Sequence, residues 1–188
     1  MGHVDEGLVQ VYTGGGKGKT TAALGLALRA LGRGLRTFIV QFMKRGWESG
    51  EQEAVSRLAP EIELHVFGSE RWGDPSQRPQ GTPWWELPAS EEDRAQAQEA
   101  LAFGRAAMTG GKWDIVVLDE VLNALQRELV SLDQLLSLIR AKPPNVELVL
   151  TGRDAPAEIA AAADLVTEMQ EVKHPFRKGV KARQGIEY

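Results

Sequence analysis

A β-rich run leads directly into Gln10-Val11-Tyr12-Thr13-Gly14-Gly15-Gly16-Lys17-Gly18-Lys19-Thr20-Thr21 and then into a helix-forming segment. This stretch constrains the fold more than any other. Glycines let the backbone curl with its N–H groups turned inward, and the following helix brings its positive dipole end to the same place. Lys19 can reach terminal phosphates there, and Thr20 offers a hydroxyl to a divalent cation. The spacing is that of a phosphate-binding loop, with Thr13 where the strict pattern G-x-x-x-x-G-K-[ST] has its first glycine. The alternative is an ordinary glycine-rich turn between strand and helix.

The rest of the chain alternates in the same rhythm. Strands are expected at Leu8–Tyr12, Thr37–Phe42, Ile62–Val66, Ile115–Leu118, Val146–Leu150 and Leu165–Val172. Helices are expected from Lys19 to Leu31, around Glu51 to Leu58, from a Ser90/Asp93 capping box to Met108, from a Ser131/Gln134 box to before Pro143, and after Pro156. On the first helix, Leu24, Ala27, Leu28 and Leu31 share one apolar stripe. Alternation of this kind predicts an α/β fold with a mostly parallel central sheet covered by helices on both faces. With 188 residues, 43% of them hydrophobic, the chain suits one domain with a sizeable core. Residues 68–88 break the rhythm with proline, glycine and tryptophan over a length unusual for a plain connection, as functional loops do.

Composition removes several functional classes. A net charge of −4 argues against nucleic-acid binding by general basicity, and with no cysteine there is no disulfide framework or thiolate chemistry. No apolar run approaches a membrane span, so the expected location is cytoplasmic.

Three further groups sit at predicted strand ends, where open α/β sheets bind ligands. Ile115-Val116-Val117-Leu118-Asp119-Glu120 is an apolar strand ending in two acids, the position at which a carboxylate meets a nucleotide-bound Mg²⁺. Gln41-Phe42-Met43-Lys44-Arg45-Gly46-Trp47 and Thr151-Gly152-Arg153 follow two other strands. Taken alone, each of these is as compatible with a helix cap or a solvated loop as with a ligand contact.

Together these segments resemble the P-loop type of ATP:corrinoid adenosyltransferase. The resemblance rests on the loop at 12–23, Val40-Gln41-Phe42-Met43-Lys44, Val116-Val117-Leu118-Asp119-Glu120 and Leu150-Thr151-Gly152-Arg153. Its most specific part is the tail, from Val172-Lys173-His174-Pro175-Phe176 through Gly179-Val180-Lys181-Ala182 to Gly185-Ile186-Glu187-Tyr188.

The resemblance implies a RecA-like homodimer that moves the 5′-deoxyadenosyl group of ATP onto Co(I) of a reduced corrinoid and releases triphosphate. It further implies a flavoprotein reductase as electron source, Mg²⁺ or Mn²⁺ held by Thr20, Glu120 and Asp119, and ATP lying reversed across the loop. Nucleotide contacts carry over to Thr13, Gly14, Gly15, Gly16, Lys17, Gly18, Lys19, Thr20, Thr21, Gln41, Lys44 and Arg153. Lys17 and Lys19 would stabilise the departing triphosphate. Trp72 and Trp47 are the expected corrinoid contacts, with Trp84 and Trp85 in an extended loop as competitors for that role. Only about seven residues precede the first strand, where many members carry a helical extension over the site, so closure is expected from elsewhere. The loop, the metal residues and the acids alone would also permit an ATPase or kinase acting at the γ-phosphate, or a nucleotide-binding regulatory module. His174 and the basic tail residues Lys173, Arg177, Lys178, Lys181 and Arg183 either meet phosphate and corrinoid or only hold and solvate the tail.

Overall fold

The structure is a computed structural model that describes residues 2–44, 49–72 and 87–187, with the side chain of Trp72 outside that description. Strands β1 (Val9–Thr13), β2 (Thr37–Gln41), β3 (Ile62–Val66), β4 (Ile115–Asp119), β5 (Glu147–Thr151) and β6 (Leu165–Glu168) form one sheet. It is wholly parallel, in the order β3-β2-β4-β5-β1-β6. Helices α1 (Lys19–Leu31), α2 (Gly50–Ser56), α3 (Glu91–Thr109), α4 (Val121–Gln126), α5 (Leu132–Arg140) and α6 (Ala157–Ala162) cover it. Both predicted capping boxes are present, Ser90 with Asp93 on α3 and Ser131 with Gln134 on α5.

Side chains alternate across each strand, and the two resulting faces carry separate cores. Phe38, Val40, Val116, Leu118, Leu148 and Leu150 pack with α3, α4, α5 and α6. Ile39, Val117 and Val149 pack with α1 and α2 on the other face. Burial on both sides is why β4 reads as an unbroken apolar run.

Three expectations need correction. On α1 the buried residues are Ala23, Ala27 and Ala30, while Leu28 is 59% exposed. The sheet-facing stripe is alanine-rich because small side chains let the helix approach the strands closely; of the predicted stripe, Ala27 is buried and Leu24 and Leu31 pack at the margin of that contact, while Leu28 turns away from it. The last strand ends at Glu168, well before Val172, because residues 169–170 turn onto the glycine loop. Finally, α4 follows β4 at once, where the sequence had offered no helix. Glu120 makes that junction with a left-handed φ of 64°.

These connections leave the carboxyl ends of β1, β2, β4 and β5 on one edge of the sheet. In register, Gln41 pairs with Asp119 and Tyr12 with Thr151, so the segments singled out in the sequence converge there.

Candidate active site

The glycine loop closes around its own lysine. Lys19 Nζ donates to the carbonyls of Gly14 at 2.7 Å and Gly16 at 2.8 Å. Burial lowers the Lys19 pKa, with the positive charge of Arg153 adding to the effect against the opposing carboxylates of Glu120, Asp119 and Asp154. Gly18 enters α1 with φ 118°, a conformation that side-chain-bearing residues rarely adopt. Gly16 N–H donates to Met169 O at 2.7 Å, and a Cβ on Gly14 or Gly16 would come within 2.5 or 2.7 Å of that oxygen. The departure at Thr13 also has a local cause: its hydroxyl accepts from the Ala155 backbone N–H at 3.0 Å, tying the loop to the start of α6. Gly15, Lys17 and Thr21 are exposed. Lys17 is held by the tail, with Nζ 2.9 Å from Ile186 O and 3.1 Å from Glu187 Oε1.

Asp119 is the centre of the polar cluster at the sheet edge and is 1% exposed. Its Oδ1 accepts from Thr20 Oγ1 at 2.8 Å and Thr151 Oγ1 at 2.7 Å. Its Oδ2 accepts from Lys44 Nζ at 2.9 Å and Gln41 Nε2 at 3.2 Å. Burial pushes this carboxyl up, but the Lys44 ammonium and the hydrogen bonds from Lys44, Thr151 and Thr20 outweigh it and hold the pKa below the ordinary value. Lys44 also lies 3.8 Å from Glu51 and 3.9 Å from Glu120. Burial disfavours its charge, yet the carboxylates of Asp119, Glu120 and Glu51 raise its pKa overall. Unlike Asp119, the neighbouring Glu120 is shifted upward: burial and the negative charge of Asp119 raise its pKa against the attraction of Lys44.

The edge is strained where its side chains are aimed. Of the four non-glycine residues with positive φ among those described, Met43, Glu120 and Asp154 follow the carboxyl ends of β2, β4 and β5. Strain of this kind persists where the surroundings over-determine it, and it gathers at functional sites. Asn123 on α4 ties two of these connections together, accepting from Arg153 N–H at 2.7 Å and donating to Glu120 at 3.5 Å. Gly152 makes that approach possible, since a Cβ there would lie 2.6 Å from Leu122 Cβ.

The structure thus brings Lys19, Thr20, Gln41, Lys44, Asp119, Glu120 and Arg153 together. It adds Glu51, Asn123 and the Thr151 hydroxyl, none of which the sequence had marked for these contacts. Glu51 stands on a separate helix with no spacing signal linking it to Asp119. Asn123 was detectable in principle, three residues after Glu120 on a helix face.

Trp47, Trp84, Trp85 and the Trp72 side chain lie outside the described residues. The Trp72 backbone closes a short 3-10 turn, Glu70–Trp72. Ser69 just before it and Arg71 within it bond to the buried Asp93 of α3, and Arg71 also donates to Pro88 O at 2.8 Å. Arg127 donates to Leu87 O. Asp93 therefore does more than cap α3: it joins the two stems of the 68–88 segment. His174 makes a local contact in the tail, its Nδ1 accepting from Phe176 N–H at 3.2 Å.

Comparison with known proteins agrees with this geometry. A solved KaiC-like protein, PH0186 of Pyrococcus horikoshii, superposes with a TM-score of 0.55 at 19% identity, covering 89% of this chain and 75% of that one, which shows a shared RecA-like fold. The corrinoid adenosyltransferase of Pseudomonas aeruginosa is 36% identical over 184 residues, covering 98% of this chain and 85% of the relative. The corrinoid adenosyltransferase CobA of Salmonella typhimurium is 34% identical, covering 98% and 87%. The family model for ATP:corrinoid adenosyltransferase BtuR/CobO/CobP matches residues 5–188. With that match spanning the loop, the acidic strand end and the tail, the chain belongs to the ATP:corrinoid adenosyltransferase family.

Proposed function

We propose that this chain transfers the 5′-deoxyadenosyl group of ATP to Co(I) of a reduced corrinoid and releases triphosphate, as a step in adenosylcobalamin synthesis or salvage. The observation that carries the reading is the hydrogen-bonded chain from Thr20 on the loop helix through Asp119 to Thr151, Gln41 and Lys44. It joins the phosphate loop to the ends of three other strands, so a nucleotide's phosphates and a cation would meet there.

The chemistry asks little of any side chain as a reactant. Co(I) supplies the electron pair, the bond from C5′ to oxygen breaks, and its electrons leave with triphosphate while cobalt becomes alkylated Co(III). What the protein must supply is a fixed positive environment for the polyanion. Lys19, free loop N–H groups, Lys17 and Arg153 would supply it. The lowered pKa of Lys19 reflects the cost of holding its charge there before phosphate arrives.

The residues fit a hard divalent cation. A hydroxyl and one or two carboxylates, with substrate phosphates completing the shell, is how Mg²⁺ is commonly held. Both Asp119 oxygens are taken, whereas among the described residues Glu120 Oε2 has a 3.5 Å contact from Asn123 and Oε1 the more distant Lys44. We therefore assign Thr20 and Glu120 as direct ligands of Mg²⁺ or Mn²⁺ and Asp119 as the group that orients Thr20. Gln41 Oε1, buried beside them and without a hydrogen-bond partner among the described residues, would accept from a water of that shell. When bound, the metal would neutralise charge on the triphosphate.

The corrinoid would lie against Trp72 and Trp47. Homodimerisation and a flavoprotein reductase belong to the same proposal. The exposed apolar residues Leu165, Val166, Val172 and Phe176 along β6 and the tail support a covering partner. Among the described residues no helix is long and apolar enough to cross a membrane, and we place the reaction in the cytoplasm.

Identifying the phosphate product tests the reading. With ATP and chemically reduced cobalamin it should be triphosphate; phosphate or a phosphorylated acceptor would instead indicate action at the γ-phosphate.

A further inference from the structure

One carboxylate oxygen ties the glycine loop to the carboxyl-terminal turn. Glu187 Oε1 accepts from Lys17 Nζ at 3.1 Å and is 3.0 Å from a terminal nitrogen of Arg183, which places the two cations within about 6 Å of each other. Arg183 grips the same carboxylate with its second prong, Nε to Oε2 at 3.2 Å, and its backbone N–H reaches Oε2 at 2.8 Å. Lys17 completes the contact by donating to Ile186 O. Lys17 belongs to the loop that would hold phosphates, and an arginine fork that fits a carboxylate also fits a phosphate group.

From this juxtaposition we propose that Lys17 and Arg183 form an outer anion site at the mouth of the glycine loop, specific for the distal groups of a polyphosphate, which Glu187 fills in the unliganded chain. Glu187 stands in for a phosphate: one anion bridging one loop cation and one tail cation. All three side chains reach solvent, with Lys17 45% and Arg183 57% exposed. Ion pairs this exposed are weak, so a multiply charged polyphosphate can displace the carboxylate. The tail would then exchange its internal anion for the ligand's. This reading rests on the loop binding phosphates, as proposed above.

The test uses the full chain and inorganic tripolyphosphate, titrated by calorimetry without corrinoid. Arg183→Gln should weaken tripolyphosphate binding roughly three- to fivefold, the scale of one exposed charge pair. Glu187→Gln should tighten it, because the competing anion is gone while both cations remain. Tryptic cleavage in the tail supplies a second readout: tripolyphosphate should change its rate in the parent, and at a lower concentration in Glu187→Gln. The site is overturned if Arg183→Gln binds like the parent, or if Glu187→Gln binds no tighter. Should the parent bind ATP normally while either result holds, only the outer site falls; if it binds neither ATP nor tripolyphosphate, the phosphate-loop reading falls with it.

Discussion

Lys44 Nζ lies 2.9 Å from Asp119 Oδ2, and with Glu51 and Glu120 also within 4 Å it is the cation around which the acidic cluster assembles. Three carboxylates gathered at a buried sheet edge require a positive partner, and among the described residues Lys44 is the one ion-paired to all three. It stands close to where a nucleotide-bound cation would enter. Replacing Lys44 with Met should leave Asp119 as a buried, under-compensated charge. A loss on the order of 3 kcal/mol in urea unfolding without nucleotide is expected, with Mg²⁺ restoring more stability to the variant than to the parent. A loss below about 1 kcal/mol would mean that the hydrogen bonds from Thr20, Thr151 and Gln41 suffice for Asp119.

Asp93 offers a test of acid sensitivity away from the proposed metal. Burial pushes its carboxyl up, but Arg71, Ser69 and Ser90 outweigh burial and hold the pKa below its ordinary 3.8. With the folded value depressed, Asp93 contributes its full stabilisation above the unfolded pKa and loses it as pH falls through the folded one. Asp93→Asn should cost about 1–3 kcal/mol at neutral pH and flatten the decline in stability below pH about 4. Parallel acid titrations of melting temperature check this; identical slopes would remove Asp93 as the acid-sensitive link between the two stems.

Lys19→Ala takes away the charge facing the proposed triphosphate. Turnover should fall on the order of 10²-fold or more, with far-UV circular dichroism unchanged because, among the described residues, the side chain bonds only to loop carbonyls. Near-normal turnover would take Lys19 out of the mechanism.

Glu120→Gln separates a metal ligand from a helix cap. Glu120 makes no side-chain cap on α4, so its left-handed turn should survive the change. The Mg²⁺ concentration for half-maximal activity should rise roughly tenfold or more, the range seen when the surroundings of a bound metal are weakened. An unchanged metal requirement with a lowered melting temperature would make Glu120 structural and return the ligand role to Asp119.

How much of this was legible beforehand depended on range. The glycine loop, the β4 acids and Lys44 each carry their signal within a few consecutive residues, and a parallel α/β sheet brings strand ends together without further information. The partner of each group was not legible in the same way. That Glu51 would share Lys44 with Asp119, that Asn123 would tie Arg153 to Glu120, or that Glu187 would meet Lys17 depends on how helices and the tail settle against the edge. Periodicity on α1 found Leu24, Ala27 and Leu31 but took Leu28 in place of Ala23 and Ala30, because it weighs leucine above alanine, whereas close packing on a sheet favours the smaller residue. The capping boxes succeeded because their geometry is wholly local.

The most direct test follows one carbon atom. ATP labelled at C5′ is mixed with the chain, Mg²⁺ and excess Co(I) cobalamin for a single turnover, and corrinoid and nucleotide fractions are separated in the dark. Adenosyl transfer predicts the label on the corrinoid in a light-sensitive cobalt–carbon bond, with one triphosphate released per label transferred. Label remaining entirely with adenosine phosphates while phosphate is released would contradict it.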